Sequence, residues 1–212
     1  MPIQNRITPF GTLIATPARG MFMGNRGVLH NAKGELTGKQ WSHQAWIICA
    51  LEYKGARREL MQPGCYTELF FLDEATALAA GHRPCALCRP KEFKVFKAAW
   101  LKGNEHFGLN GNPGIGKIDA ILHQERVSTN GRRVTFETTA GDLPNGVFVM
   151  RPDLPETCFL YWDGMLLPWS PQGYGEKKLL KPDARLTVLT PQSIVNSFRA
   201  GYTPRVFFPG IQ

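Results

Sequence analysis

The sequence predicts an α+β fold in two parts. Residues 67–72 (TELFFL) form a short, aromatic-rich apolar run of strand length, and an alanine-rich segment and a Cys-x-x-Cys turn follow it. After residue 130 the pattern changes to short alternating segments separated by Asn-Gly and Asp-Gly pairs, which are hairpin turn signals. We therefore expect a strand–helix–Cys-x-x-Cys–helix unit within residues 1–105. Residues 106–212 should form a β-rich region, a small barrel or a curled sheet with a C-terminal helix, and both parts could share one core.

The chain before residue 66 predicts strands and loops. Residues 1–40 are rich in Gly, Pro and small polar residues, with only short apolar pieces. Arg26 lies on a Gly-flanked turn from which it could contact a phosphate, although an ordinary loop arginine gives the same pattern. Residues 41–54 (WSHQAWIICALEYK) contain the next element, which we interpret as a central strand over residues 45–53.

The segment after the aromatic strand predicts a metal half-site. Asp73 is a suitable N-cap for a helix over 74–80, which Gly81 ends. Cys85 and Cys88 follow on a tight turn between two prolines, and two such thiols can bind one Zn²⁺ ion. A redox dithiol would place its first cysteine at a helix N-terminus after a long parallel strand, so zinc is favoured. Unligated thiols remain an alternative.

A structural zinc site needs two more ligands. We expect them to be Cys49 and His43, which share one face if residues 43–49 are extended. Cys65 and His82 are the alternatives, because both lie close to the half-site in sequence. The surroundings of Cys49 (IICA) are also typical of a buried, unligated cysteine.

Residues 90–102 (PKEFKVFKAAWLK) predict an amphipathic helix with Pro near its first position. Residues 81–102 hold six basic side chains against one acid, Glu92. A basic helix directly after a zinc knuckle could lie along a phosphate backbone, whereas a solvated lysine face is the alternative. The candidate phosphate contacts here are Arg83, Arg89, Lys91, Lys94 and Lys97.

The second part begins with a helix predicted over residues 116–127. Asp119 and His123 lie four residues apart on one face of it, so they are weak candidates for acid–base chemistry. An i,i+4 surface contact gives the same spacing. Strands are predicted at 132–138, 146–150, 159–162, 165–169 and 184–189, and a closing helix at 191–200.

The run FFLDEATALAAGHRPCALCRP resembles the second half of the zinc-binding domain of Ada-type DNA alkylation-repair proteins, over about residues 66–91. The resemblance implies that Cys85 and Cys88 form the second pair of a four-cysteine zinc site and that the domain contacts the DNA backbone. The family's first pair, Cys-x3-Cys, has no match near residues 54–64, and His82 replaces the usual aromatic residue. The methyl-accepting cysteine belongs to that first pair, so its activity is not implied.

Charge and composition favour an anionic partner. The net charge is +8 and the isoelectric point is about 9.4, which points first to nucleic acid. Five irregularly spaced cysteines do not predict a disulfide framework, and no apolar stretch approaches membrane-spanning length, so we expect a cytoplasmic protein with no membrane partner. The sequence thus predicts zinc-stabilised binding of nucleic acid, DNA first, with a role in repair. The alternatives are an enzyme acting on nucleic acid or modified nucleotides and a zinc-stapled protein-interaction module.

Overall fold

The computed structural model describes residues 2–55 and 59–208, which form two β-sheets and four α-helices. The predicted class, α+β with a C-terminal helix, is confirmed. Residues 209–212 of the predicted second part lie outside the described residues. No helix within the described ranges is long and apolar enough to cross a membrane.

The first sheet is built entirely from the first part of the chain. Its spatial order is second, first, fifth, third, fourth and sixth strand, and two of the neighbouring pairs, first with fifth and fourth with sixth, are parallel. The predicted aromatic strand is the fifth and occupies a central position. The strands are β1 (Gln4–Ile7), β2 (Leu13–Ala15), β3 (Phe22–Asn25), β4 (Ile47–Cys49), β5 (Leu69–Phe71) and β6 (Arg83–Pro84).

Two helices flank the Cys-x-x-Cys turn, as the sequence predicts. Helix α1 (Glu74–Ala79) is capped by Asp73, whose carboxylate accepts a hydrogen bond from the amide of Thr76 at 2.8 Å. Helix α2 (Pro90–Gly103) begins with proline at its first position, where the missing amide hydrogen has no intrahelical partner to lose. Its apolar stripe is buried.

The strands of the second sheet lie between α3 (Ile115–Arg126) and α4 (Gln192–Arg199) in the sequence. Asp163 and Gly164 both have positive φ, 49° and 73°, as a two-residue hairpin turn of the predicted kind requires. The strands are β7 (Phe136–Thr139), β8 (Phe148–Arg151), β9 (Leu154–Trp162), β10 (Met165–Ser170), β11 (Gly173–Tyr174), β12 (Lys178–Leu179) and β13 (Arg185–Val188).

The small barrel considered for the second part is wrong. The seven strands run in the order β11-β10-β9-β8-β13-β7, with β12 paired to β10, and β11 and β7 do not pair with each other. Because these two end strands are not paired, the described strands form an open sheet. Strands β11 and β12 contain only two residues each.

One hydrophobic core joins the two parts. A single buried cluster contains Phe71 and Trp100 from the first part together with Val149, Phe159 and Phe198 from the second. Helices α2 and α4 cross closely where α2 ends. A Cβ atom added to Gly103 would lie 2.3 Å from the carbonyl oxygen of Asn196, so only glycine permits this approach.

The segment after α4 returns to the start of α1. The buried Glu74 carboxylate accepts hydrogen bonds from the Tyr202 hydroxyl at 2.8 Å and the Arg205 amide at 3.0 Å. The Asp73 carboxylate accepts one from the Phe207 amide at 3.0 Å. Two buried acidic groups therefore obtain part of their hydrogen bonds from the last residues that the structure describes.

Candidate metal centre

Three cysteines meet where β4, β6 and α2 come together. The parallel pairing of Ile48 with Pro84 brings Cys49 beside Cys85, whose amide donates to the Ile48 carbonyl at 2.9 Å. Cys88 completes the group from the turn before α2. The three sulfur atoms all lie within 4.8 Å of one another. The two cysteines of the half-site and the predicted third ligand, Cys49, are thus assembled in one cluster.

The turn that carries Cys85 and Cys88 is held on both sides. The Ala50 amide donates to the Cys88 sulfur at 3.4 Å, and the Arg89 amide donates to the Cys85 carbonyl at 3.1 Å. Strand β4 was predicted to extend to residue 53, but it ends at Cys49. The next amide, that of Ala50, donates to the Cys88 sulfur and not to a neighbouring strand.

Beyond the turn, Arg89 anchors the start of α2. Its guanidinium lies 2.8 Å from the Glu74 carboxylate, and both side chains are buried. The same guanidinium lies over the ring of Phe22, 4.4 Å from its centroid. The ion pair therefore connects the exit of the Cys-x-x-Cys turn to the first turn of α1.

The thiols form a hydrogen-bonded group in which one member is acidic. Hydrogen bonding from Cys49 lowers the pKa of Cys85 to about 5, with further help from the backbone amides of Cys88 and Leu87. The same hydrogen bond, together with burial, raises the pKa of Cys49. Burial raises the pKa of Cys88. Three neighbouring sulfurs, of which that of Cys85 has the lowered pKa, form a soft donor set.

The donor set fits a metal ion that prefers thiolate ligands. Sulfurs bound to tetrahedral zinc at about 2.3 Å are roughly 3.8 Å apart, and the three sulfurs here lie within 4.8 Å of one another. A hard cation such as Mg²⁺ would require oxygen ligands instead. Cys49, Cys85 and Cys88 would therefore hold the metal, and the group could join three elements of the first part.

The structure does not bring the expected fourth ligand, His43, to the cluster. Strand β4 begins only at Ile47, so His43 lies exposed in the preceding loop, where its carbonyl accepts a hydrogen bond from the Trp46 indole at 3.0 Å. The alternative Cys65 is exposed and also lies outside the cluster.

The other alternative, His82, is fully buried away from the three sulfurs. Its Nε2 atom lies 3.2 Å from Nε of Arg26, which donates to it. Burial and the nearby guanidiniums of Arg26 and Arg126 lower its pKa. His82 is therefore a neutral hydrogen-bond acceptor within the core.

Three of the six arginines and lysines predicted to contact phosphate are buried. Arg83 makes two hydrogen bonds to Asp119, at 2.8 and 2.7 Å, and Arg89 is paired with Glu74 as described. Arg26 donates to the Gly11 carbonyl at 3.0 Å and lies 3.9 Å from the centroid of the Trp46 ring. Their burial leaves these guanidiniums no access to a phosphate backbone.

The three lysines lie closer to solvent. Lys91 and Lys94 are exposed on α2, whereas Lys97 is half-buried. The Lys97 ammonium group donates to the side chain of Asn112 and the carbonyl of Pro113, both at 2.6 Å. The basic surface after the Cys-x-x-Cys turn therefore consists mainly of Lys91 and Lys94.

The predicted Asp119–His123 pair is not formed. Asp119 is buried and directed to Arg83, while Nδ1 of His123 lies 3.0 Å from a guanidinium nitrogen of Arg126. Burial, and to a lesser degree the Arg126 charge, lowers the pKa of His123. Without the carboxylate the acid–base interpretation of this helix loses its geometric basis.

A cavity of about 530 Å³ lies beside the cysteine cluster, and all three cysteines line it. Sequence reasoning did not identify the polar residues that line it, among them Asn25, Glu52 and Glu68. Glu68 is a single acid within the apolar run TELFFL, and this interruption was the available signal. Its carboxylate is buried and accepts a hydrogen bond from the Met61 amide at 2.8 Å.

Comparisons of the chain with protein-family models, with curated proteins and with solved structures find no match.

Proposed function

We propose that the protein binds one zinc ion through Cys49, Cys85 and Cys88 and binds nucleic acid, DNA first, beside that site. The observation that carries the proposal is the cluster of three cysteines directly before a helix with exposed lysines. A bound zinc ion would supply cross-linking of β4, β6 and α2. The role in DNA repair rests on the resemblance to Ada-type proteins alone.

Lys91 and Lys94 would contact phosphates from the first turns of α2. Both are exposed, and the N-terminal end of a helix adds a favourable dipole for an anion. The proposal assigns no phosphate contact to Arg26, Arg83 or Arg89, because their charges are buried within the fold. The expected interface is thus small, and its salt dependence should correspond to about two phosphate contacts.

The test measures DNA binding at several salt concentrations for wild type and for the double variant Lys91→Gln, Lys94→Gln. Loss of two phosphate contacts should reduce the slope of log affinity against log salt by about 2. The control is Lys177→Gln, Lys178→Gln, two adjacent exposed lysines in the second part. Wild type that binds no DNA at low salt, or equal slopes in both double variants, would contradict the proposal.

A further inference from the structure

We propose that the cavity beside the cysteine cluster receives one unstacked nucleobase and that the metal's fourth coordination position opens into this cavity. The inference rests on the proposed zinc and nucleic-acid binding and adds where the base lies.

Three protein ligands leave one position of a tetrahedral metal open. The described part of the chain offers only Cys49, Cys85 and Cys88 at this point. The residues outside it, Met1, 56–58 and 209–212, include no Cys, His, Asp or Glu. Structural zinc sites have four protein ligands, whereas sites that act on a ligand have three. Because all three cysteines line the cavity, a metal held between them is reached from the cavity.

The size of the cavity suits a small organic ligand. Its volume of about 530 Å³ lies within the range of about 300–1,000 Å³ typical of small-molecule sites. A folded backbone or a helix would not enter such a space. A single base with its sugar would.

The walls of the cavity favour a planar group with N–H donors. The rings of Tyr53, Tyr66 and Phe70 line the cavity, and the Arg6 guanidinium lies over the Phe70 ring, 4.6 Å from its centroid. A base could stack on such aromatic surface. Glu52 and Glu68 provide carboxylates that accept hydrogen bonds. Among the lining residues that the structure describes there is no Lys or Arg, so these residues offer no cationic partner for a phosphate.

The rim of the cavity is an exposed apolar patch. Leu51, Leu60 and Leu87 all line it, and they remain 50%, 42% and 69% exposed. Large apolar side chains gathered around one opening indicate a binding site. Lys91 and Lys94 follow Leu87 by four and seven residues on α2. The phosphates would therefore lie along the helix while the base enters the cavity.

The experiment compares a short single-stranded oligonucleotide with an oligomer of equal length that carries the same phosphates but no bases. We expect wild type to bind the base-bearing strand about 5- to 150-fold more tightly, since stacking of one base contributes roughly 1–3 kcal/mol. The variant Leu51→Asp, Leu87→Asp should bind both oligomers equally. Both side chains are exposed, so the fold should tolerate the change.

The matched control is Leu179→Asp, which changes a leucine that is 91% exposed and distant in sequence from the cavity. It should keep the wild-type preference. Failure of wild type to bind either oligomer would defeat the proposed function itself. Binding of both oligomers with equal affinity, still dependent on Lys91 and Lys94, would overturn the base site and leave the proposed function intact. A preference that survives in Leu51→Asp, Leu87→Asp would also overturn it.

The open coordination position has its own readout, the absorption spectrum of the Co²⁺-loaded protein. Wild type and Cys65→Ser should give the same sulfur-to-cobalt bands, and addition of the base-bearing oligonucleotide should shift the ligand-field bands. A weaker sulfur band in Cys65→Ser would show that Cys65 closes the site. A spectrum unchanged by the oligonucleotide would contradict access from the cavity.

Discussion

Cys49 is the one cysteine of the cluster that lies outside the Cys-x-x-Cys turn, so its substitution tests whether the metal site has three cysteine ligands. We expect about one zinc ion per wild-type chain and strongly reduced zinc in Cys49→Ser, because two thiolates alone hold the ion weakly. Cys158→Ser is the matched control, since Cys158 is equally buried but lies outside the cluster. Zinc content is measured by mass spectrometry of the purified proteins. Full zinc retention in Cys49→Ser would contradict the three-cysteine site.

His82 should make stability depend on pH in a known direction. Its pKa is lowered in the folded protein, so at mildly acidic pH the unfolded chain binds a proton that the folded protein does not. Its contribution to the free energy of unfolding is therefore present above a pH of about 6.5 and is lost as the pH falls, by up to about 1.4 kcal/mol per pH unit.

The measurement is urea unfolding of wild type, His82→Gln and His106→Gln between pH 7 and pH 5. Gln can still accept the hydrogen bond from Arg26, so the variant should fold. We expect His82→Gln to lose less stability on acidification than wild type, while His106→Gln, which changes an exposed histidine, behaves like wild type. Equal losses in all three proteins would exclude this role for His82.

At the scale of elements, the crossing of α2 and α4 depends on one glycine. Gly103→Ala should lower the free energy of unfolding, because its Cβ would overlap the Asn196 backbone, which cannot move aside without shifting α4. Gly116→Ala is the control within α3, where no atom lies within 4 Å of the added Cβ. It should raise stability by about 0.5–1 kcal/mol. Thermal unfolding of the two variants beside wild type tests the opposite signs.

Local signals predicted most of these elements. The proline at the start of α2, the Asp73 cap and the Asp163-Gly164 turn each act within a few residues, so a single sequence is enough to place them. The extent of β4 was not predictable in this way. The strand ends where the Ala50 amide donates to the sulfur of Cys88, thirty-eight residues later in the chain. The strand also begins only at Ile47, so His43 lies in the preceding loop and not at the cluster.

At the scale of the whole molecule, Arg133 connects segments that are far apart in sequence. Its guanidinium donates to the carbonyls of Phe10 at 2.9 Å and of Ala79 and Leu189 at 2.5 Å. No periodicity or motif reports such contacts. The sequence likewise could not show that Arg26, Arg83 and Arg89 are internal, because burial of a charge depends on partners supplied by distant segments.

Arg133→Met should therefore destabilise both parts together. Three carbonyls would lose a donor, and we expect a decrease of about 3 kcal/mol or more in the free energy of unfolding. Since the two sheets share one core, unfolding followed by far-ultraviolet and by aromatic circular dichroism should remain a single coincident transition. Arg132→Met, a change of the exposed neighbour, should have little effect. Two separate transitions would show that the parts fold independently.

The return of the last described residues to α1 sets an order for assembly during synthesis. Asp73 and Glu74 lie inside the first part, but three of their hydrogen-bond donors, Tyr202, Arg205 and Phe207, leave the ribosome only after the second sheet and α4. Until then the Glu74 carboxylate, which pairs with Arg89, lacks part of its hydrogen bonds. The turn that carries Cys85 and Cys88 is therefore not yet fully stabilised. The nascent first half should thus remain accessible to chaperones and to early metal binding, and it should reach its final packing only after residues 202–207 have left the ribosome.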